Sequence, residues 1–192
     1  MKQAMIGRTM VHRRRRRISG TGVAKGVALL AVACAVAVAA LAAGGGDPLW
    51  RLAAGPPDLG PASFERLARR DVPNDALACP ADLCRAASDL APPVFAVPAR
   101  DLRRAFARAI ADEPRLERVA ADDAALADRY VQRSRIMRFP DTVDVRFLDL
   151  PGGRSTLALY SRSQLGSDDF GVNRARIARW LALLSAAAPA AR

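Results

Sequence analysis

The residues with the clearest capacity for chemistry lie between Ser161 and Ile177, in the run SRSQLGSDDFGVNRARI. Arg162, Arg174 and Arg176, together with the hydroxyls of Ser161, Ser163 and Ser167, have the composition of an anion site. Guanidinium forks and hydroxyl donors match carboxylate or phosphate oxygens. Arg174 and Arg176 also fall where the pattern predicts a helix to begin. The positive end of the helix dipole disfavours cations there, so the placement costs stability unless something anionic meets them. Two readings follow. In one, an external anion sits on Arg162, Arg174 and Arg176, helped by the amides of the helix start. In the other, Asp168 and Asp169 neutralise the arginines, Asn173 caps the helix, and Gly166 and Gly171 supply backbone freedom. The candidate binding residues are Arg162, Ser163, Ser167, Asp168, Asn173, Arg174 and Arg176.

Other chemistries are narrowed by what the chain lacks. Beyond residue 43 there is no histidine and no lysine. A Ser-His-Asp triad, a Cys-His pair and a lysine Schiff base therefore have no residues to form from. Gly44-Gly45-Gly46 is a linker and not a phosphate loop of the G-x-x-x-x-G-K kind. Two-carboxylate catalysis stays open through Asp141, Asp144, Asp168 and Asp169, although acids beside arginines commonly form surface ion pairs. Cys79 and Cys84 form a C-x4-C pair. Zinc would need two further ligands, and the only histidine is His12, so a local disulfide is expected and no metal or cofactor.

These residues must be delivered to their compartment and held by a fold. The net charge of +11 is unevenly spread: residues 1–43 hold eight cations and no acids, while residues 44–192 hold 22 arginines and 19 acids, a net of +3. The basic excess is an N-terminal address rather than a nucleic-acid surface. Arg13 to Arg17 precede Gly26–Ala43, which is 18 residues without a charge. At about 1.5 Å per residue, a helix of this length just crosses a hydrocarbon core of ~30 Å. The arginines before it predict a cytoplasmic N-terminus and an exported remainder. A cleaved signal peptide is the alternative, because half the run is alanine and Ala37-Val38-Ala39 and Ala40-Leu41-Ala42 both offer a small-x-small cleavage pattern. The chain thus divides into a basic cytoplasmic segment (1–25), a transmembrane helix or signal core (26–43), a Gly/Pro-rich linker (44–61) and an exported domain (62–188). The expected location is the inner membrane, single-pass, with the domain in the periplasm, or secretion after cleavage. Trp50 suits either a membrane interface or a docking site on the domain.

The exported part has the length of one domain. Phe64, Leu67 and Ala68 lean helical before Pro73. Leu102, Ala105, Phe106, Ala109 and Ile110 recur at helical spacing, with Asp101 as the expected cap and Pro114 as the stop. Arg103, Arg104 and Arg108 lie off that stripe and read as a solvated face. Strands are expected over Leu116–Ala120, Ala127–Met137, Val143–Phe147 and Thr156–Ser161, with a hairpin at Pro151-Gly152-Gly153. A last helix from about Asn173 to Ala187 carries the stripe Ile177, Trp180, Leu181 and Leu184. Short links between strands favour an α+β fold, a small antiparallel sheet of three to five strands packed by two helices.

RFPD at Arg138–Asp141, VDVRF at Val143–Phe147 and YSRSQLGSDDFGVNRARI at Tyr160–Ile177 together resemble the domain of unknown function 1499 family. CPADLC at Cys79–Cys84 and PPVF at Pro92–Phe95 fit the same pattern, and the resemblance spans roughly residues 74–186. It implies an exported or membrane-tethered domain with no assigned reaction. One departure is that Ser167-Asp168-Asp169-Phe170 is a residue longer than the S-D-x-G spacing, so either aspartate could take the family position. The functional expectation is a non-catalytic envelope domain that binds a partner protein or an anionic ligand at Ser161–Arg176. The alternative is a carboxylate-based hydrolase of an envelope polymer. A third reading gives Arg133 and Arg135 to anionic lipid headgroups.

Overall fold

The computed structural model describes residues 20–44 and 47–188. The chain divides into two compact units, Met1–Ala43 and Gly44–Arg192. Helix α1, Gly20–Gly44, contains the uncharged run. Among the described residues no helix is long and apolar enough to cross a membrane.

The second unit is α+β. After a short helix α2 (Asp47–Ala54) come β1 (Asp75–Ala78), α3 (Ala99–Ala109), β2 (Leu116–Asp122), β3 (Ala127–Arg133), β4 (Pro140–Leu150), β5 (Arg154–Ser163) and α4 (Val172–Ala187). The five strands form one sheet in the order β1-β5-β4-β3-β2, antiparallel throughout. Strands β2 to β5 follow one another as hairpins, as short links require. The tightest turn uses Gly152 and Gly153, both at positive φ. The long β4–β5 pairing runs from Asp141↔Ser163 to Leu150↔Arg154.

Alternation along each strand sends residues to opposite faces. On one face α3 and α4 pack through Leu102, Phe106, Ile177, Trp180 and Leu184 onto Tyr130, Val143, Val145, Phe147, Leu157 and Leu159. Phe106 meets Phe147 and Trp180 edge-on, with ring centroids 5.5 and 5.8 Å apart, the geometry aromatic quadrupoles favour. On the other face Phe64, Leu77, Cys79, Cys84, Ala158 and Tyr160 form a smaller cluster.

That second face is covered by residues the sequence reads as linker. Leu59 N–H donates to Thr142 Oγ1 at 3.1 Å and Ala62 N–H to Asp144 Oδ1 at 3.3 Å. Arg129 grips Asp58 with two hydrogen bonds of 2.7 and 2.8 Å, and Arg146 pairs with Glu65. Residues 57–65 thus run across the sheet as a strap. Only Phe64–Arg66 takes a helical turn, of 3-10 type, where a longer helix was expected. Trp50 docks on the domain, its ring tilted 50° against Phe139 with centroids 4.8 Å apart.

Two helix starts differ from expectation. Asp101 lies in the first turn of α3 and pairs with Arg104, while Ala99 N–H is met by Asp149 Oδ1 at 2.8 Å, fifty residues away. At α4 the cap is Gly171 at φ 76, and Asp169, not Asn173, accepts the amides of Gly171 (2.9 Å) and Asn173 (2.8 Å).

Cys79 and Cys84 are joined in a disulfide. The loop it closes returns the chain along β1, where Cys79 N–H donates to Ser88 Oγ and Leu77 N–H to Asp89 Oδ2, both at 2.8 Å. Closing so short a loop is worth about 2 kcal/mol by chain entropy. The double variant Cys79→Ala, Cys84→Ala is therefore expected to melt roughly 4–8 °C lower than the parent by calorimetry.

Candidate functional site

The segment singled out in the sequence folds as the end of β5, a turn and the first turn of α4. Its residues do not gather into one site. β5 continues to Ser163, two residues past the expected end, and this decides which way each side chain faces. Ser161 and Ser163 point to the helices, whereas Arg162 points to the strap. There Arg162 donates to Gly60 O at 2.5 Å, approaches Asp144 Oδ2 at 3.3 Å and lies over the Tyr160 ring at 5.2 Å. Arg174 is exposed on α4, and Ser167 and Asp168 are exposed in the turn. Asp168 Oδ1 accepts the Phe170 amide at 2.7 Å.

Arg176, Asn173, Ser161 and Ser163 do come together, in a buried polar knot with Asp141 and Gln132. Arg176 is 5% exposed and Asn173 0%. The Arg176 guanidinium donates from Nη2 to Asp141 Oδ2 at 2.6 Å and from Nε to Gln132 Oε1 at 2.6 Å. Its Nη1 reaches Ser161 Oγ at 2.8 Å and Asn173 Oδ1 at 2.5 Å. Asn173 Nδ2 donates to Ser163 Oγ at 3.0 Å and to Asn74 O at 3.1 Å. The anion that the helix-start arginine requires is thus Asp141 from β4, not Asp168 or Asp169. Every polar side chain of the knot has partners, as burial demands. Its role is to fasten α4 to β3, β4, β5 and the residue before β1.

The aspartates considered for catalysis separate in the same way. Asp141 faces the helices and Asp144, three residues on, faces the strap. Asp168 and Asp169 serve backbone amides. Asp144 is buried with only an imperfect ion pair: its Oδ2 makes no hydrogen bond. Burial pushes its pKa up to about 6, against the pull of Arg162. Among the described residues no cluster of three or more His, Cys, Asp or Glu side chains could hold a metal ion.

A different constellation lies beside the knot. A groove of about 510 Å³ opens between the end of β3, the loop after α3 and the first turns of α4, and its lining includes Arg115, Arg133, Arg135, Arg176 and Arg179 with Glu113 as the sole acid. Arg179 holds Glu113 with hydrogen bonds of 2.9 and 2.5 Å. Burial acts to raise the Glu113 carboxyl, but bonds from Arg179 and Gln132 outweigh it and hold the group below its ordinary value. Arg133 is paired with Asp47 at 3.0 Å and Glu117 at 3.1 Å. Arg115 donates Nε to Arg133 O at 3.0 Å. Arg115 and Arg135 are exposed and have no carboxylate partner among the described residues. Arg115 and Arg179 were not anticipated. The helical spacing of Arg176 and Arg179 could have suggested the second; nothing local suggests the first.

Fold and site define an α+β domain whose antiparallel sheet is pinned to its last helix by a buried arginine and flanked by a cationic groove. The chain belongs to the family described as protein of unknown function (DUF1499), whose model matches residues 63–184. No curated protein and no solved structure matches the chain.

Proposed function

We propose that the protein is a membrane-anchored envelope protein whose exported domain binds an anionic ligand in the arginine groove beside the Ser161–Arg176 turn. The observation that carries this reading is that two of the five arginines lining the groove of about 510 Å³, Arg115 and Arg135, have no carboxylate partner among the described residues, whereas Arg133, Arg176 and Arg179 are ion-paired. Arg135 and the two Nη groups of Arg115 keep their donors for a ligand, while ion pairs hold Arg133, Arg176 and Arg179 in place around them. Bidentate guanidinium contacts suit phosphate or carboxylate. The anchor is supported by the sequence alone, in which five arginines precede an 18-residue uncharged run. Alkaline extraction of membranes, with the mass of the extracted chain, tests anchor against cleavage.

Inorganic phosphate and pyrophosphate serve as probes of the groove. At low ionic strength and a hundredfold excess over the dissociation constant, binding adds about 2.7 kcal/mol to stability. That corresponds to a rise of roughly 5–10 °C in melting temperature. The variant Arg115→Glu, Arg135→Glu should keep the parent's unliganded melting temperature and lose the rise. A flat response in the parent, or a rise that survives in the variant, removes the reading.

A further inference from the structure

Three segments meet at one end of the sheet. The β3–β4 loop, residues 134–139, and the turn at 164–171 adjoin there where Gln164 N–H donates to Pro140 O, at the start of β4, at 3.1 Å. Helix α2 joins them: Trp50 Nε1 donates to Met137 O at 2.5 Å, and Ala54 O accepts from Gln164 Nε2 at 2.8 Å. All three segments hold large apolar side chains out in water. Leu52 is 88% exposed, Ile136 84% and Phe170 91%. A single exposed leucine is ordinary, but a group of such side chains on neighbouring loops marks an interaction surface. Phe170 stands at φ 53, in the left-handed region that a bulky residue takes at a cost. No core contact accounts for its being there.

Arg51 and Arg135 directly precede Leu52 and Ile136, and Arg174 follows Phe170 by four residues; all three are exposed and without carboxylate partners among the described residues. Three acids stand at the same end and keep their charge. Asp47 pairs with Arg133 and Arg138, and Asp168 and Asp169 are held by backbone amides. The end is therefore apolar at its tips, and its arginines, Arg51, Arg133, Arg135, Arg138 and Arg174, outnumber those acids. That is the chemistry of a surface that enters the boundary between headgroups and acyl chains, with guanidinium groups on lipid phosphates. The chain order favours the same partner, because only Gly44, Gly45 and Gly46 stand between the apolar run 26–43 and Asp47.

The geometry points to this end of the domain as a docking surface for an anionic bilayer. Leu52, Ile136 and Phe170 enter the interface, and Arg51, Arg135 and Arg174 lie on the headgroup phosphates. The inference rests on the anchored reading above and adds an orientation, with the end of the sheet that holds the β3–β4 loop turned toward the membrane. It does not depend on a soluble anion in the groove.

The test uses the full-length chain in vesicles of phosphatidylcholine with or without phosphatidylglycerol. Cys34→Ala leaves only the disulfide-bonded cysteines. A fluorophore is then placed through Ile136→Cys, Phe170→Cys or Ala124→Cys, the last in the β2–β3 turn at the opposite end. Lipids carrying a nitroxide on the acyl chain should quench the first two labels and spare the third. Quenching should fall to the level seen in phosphatidylcholine alone when Arg51→Glu and Arg174→Glu are combined. It should also fall when ionic strength rises from about 0.1 M to about 1 M, where the screening length drops from about 10 to 3 Å. Equal quenching at all three positions, none at any, or no dependence on phosphatidylglycerol overturns the proposal. Retention through alkaline extraction reads the anchor and the pyrophosphate response reads the groove, so failure of docking is distinguished from failure of either.

Discussion

Arg176→Ala is expected to destabilise the domain by about 3–5 kcal/mol, a fall in melting temperature of roughly 6–20 °C. The substitution leaves Asp141 buried without its counter-charge, and removing one member of a buried ion pair is among the most damaging single changes. It also deprives Gln132, Ser161 and Asn173 of their shared donor, since all three oxygens bond the same guanidinium. Arg174→Ala provides the control. Arg174 sits two residues away at the same helix start but is exposed, so its loss should stay within about 0.5 kcal/mol. Pairing Arg176→Met with Asp141→Leu should recover much of the loss, because an apolar pair of similar volume often serves as well as a buried ion pair. Urea unfolding followed by circular dichroism measures all four proteins. Equal stabilities for Arg176→Ala and Arg174→Ala would show that the knot does not hold the helix.

Asp144 supplies the second large effect, and it depends on pH. Its folded pKa, about 6, lies above the ordinary 3.8 because burial disfavours the carboxylate, and Arg162 compensates only in part. In the folded chain the neutral form is preferred, so the group's contribution is fully present below about pH 4 and lost as pH rises through 6. The unfolded chain binds fewer protons in that window, which makes the slope negative. The accumulated cost is about 3 kcal/mol at neutral pH. Asp58 and Asp75 behave in the opposite sense. Burial tends to raise both, but arginine bonds prevail and hold them low, so their contribution is lost only as pH falls below the ordinary range. Asp144→Asn should therefore match the parent near pH 4 and exceed it by about 3 kcal/mol at pH 7, with most of the gap opening between pH 4 and 6. A constant difference across that range would mean that the carboxylate is already ionised throughout.

Much of the architecture was legible because it rests on local patterns. The stripe Ile177, Trp180, Leu181 and Leu184 marks α4, Pro151-Gly152-Gly153 marks the β4–β5 turn, and Cys79 and Cys84 lie close enough to pair without further information. What was hidden depends on partners distant in sequence. β1 has four residues and no strong alternation; it becomes a strand because β5 lies beside it, with Asp75 opposite Arg162. Residues 57–62 have a linker's composition, and Thr142, Asp144, Arg129 and Arg162 turn them into a strap. The residues of the candidate site part from one another for a reason of period. In a strand, neighbouring side chains face opposite ways, so extending β5 to Ser163 parted Arg162 from Ser161 and from Arg176. The sequence motif was visible, but the carboxylate that answers Arg176 comes from β4, 35 residues away.

The disulfide also has a consequence beyond the stability of its own loop. A sheet's outer strand presents unpaired amides and carbonyls, a template on which another chain can add. Along β1 those groups are already occupied: Ser88 and Asp89 bond Cys79 and Leu77, and Leu77 O accepts the amides of Asp89 and Leu90. The returning chain that seals this edge is the one the cysteines hold in place. Reduction would therefore do more than relax a turn: it would loosen the seal and leave β1 open to pairing between molecules. The bond that closes one loop thus also guards the sheet's outer edge against addition of another chain.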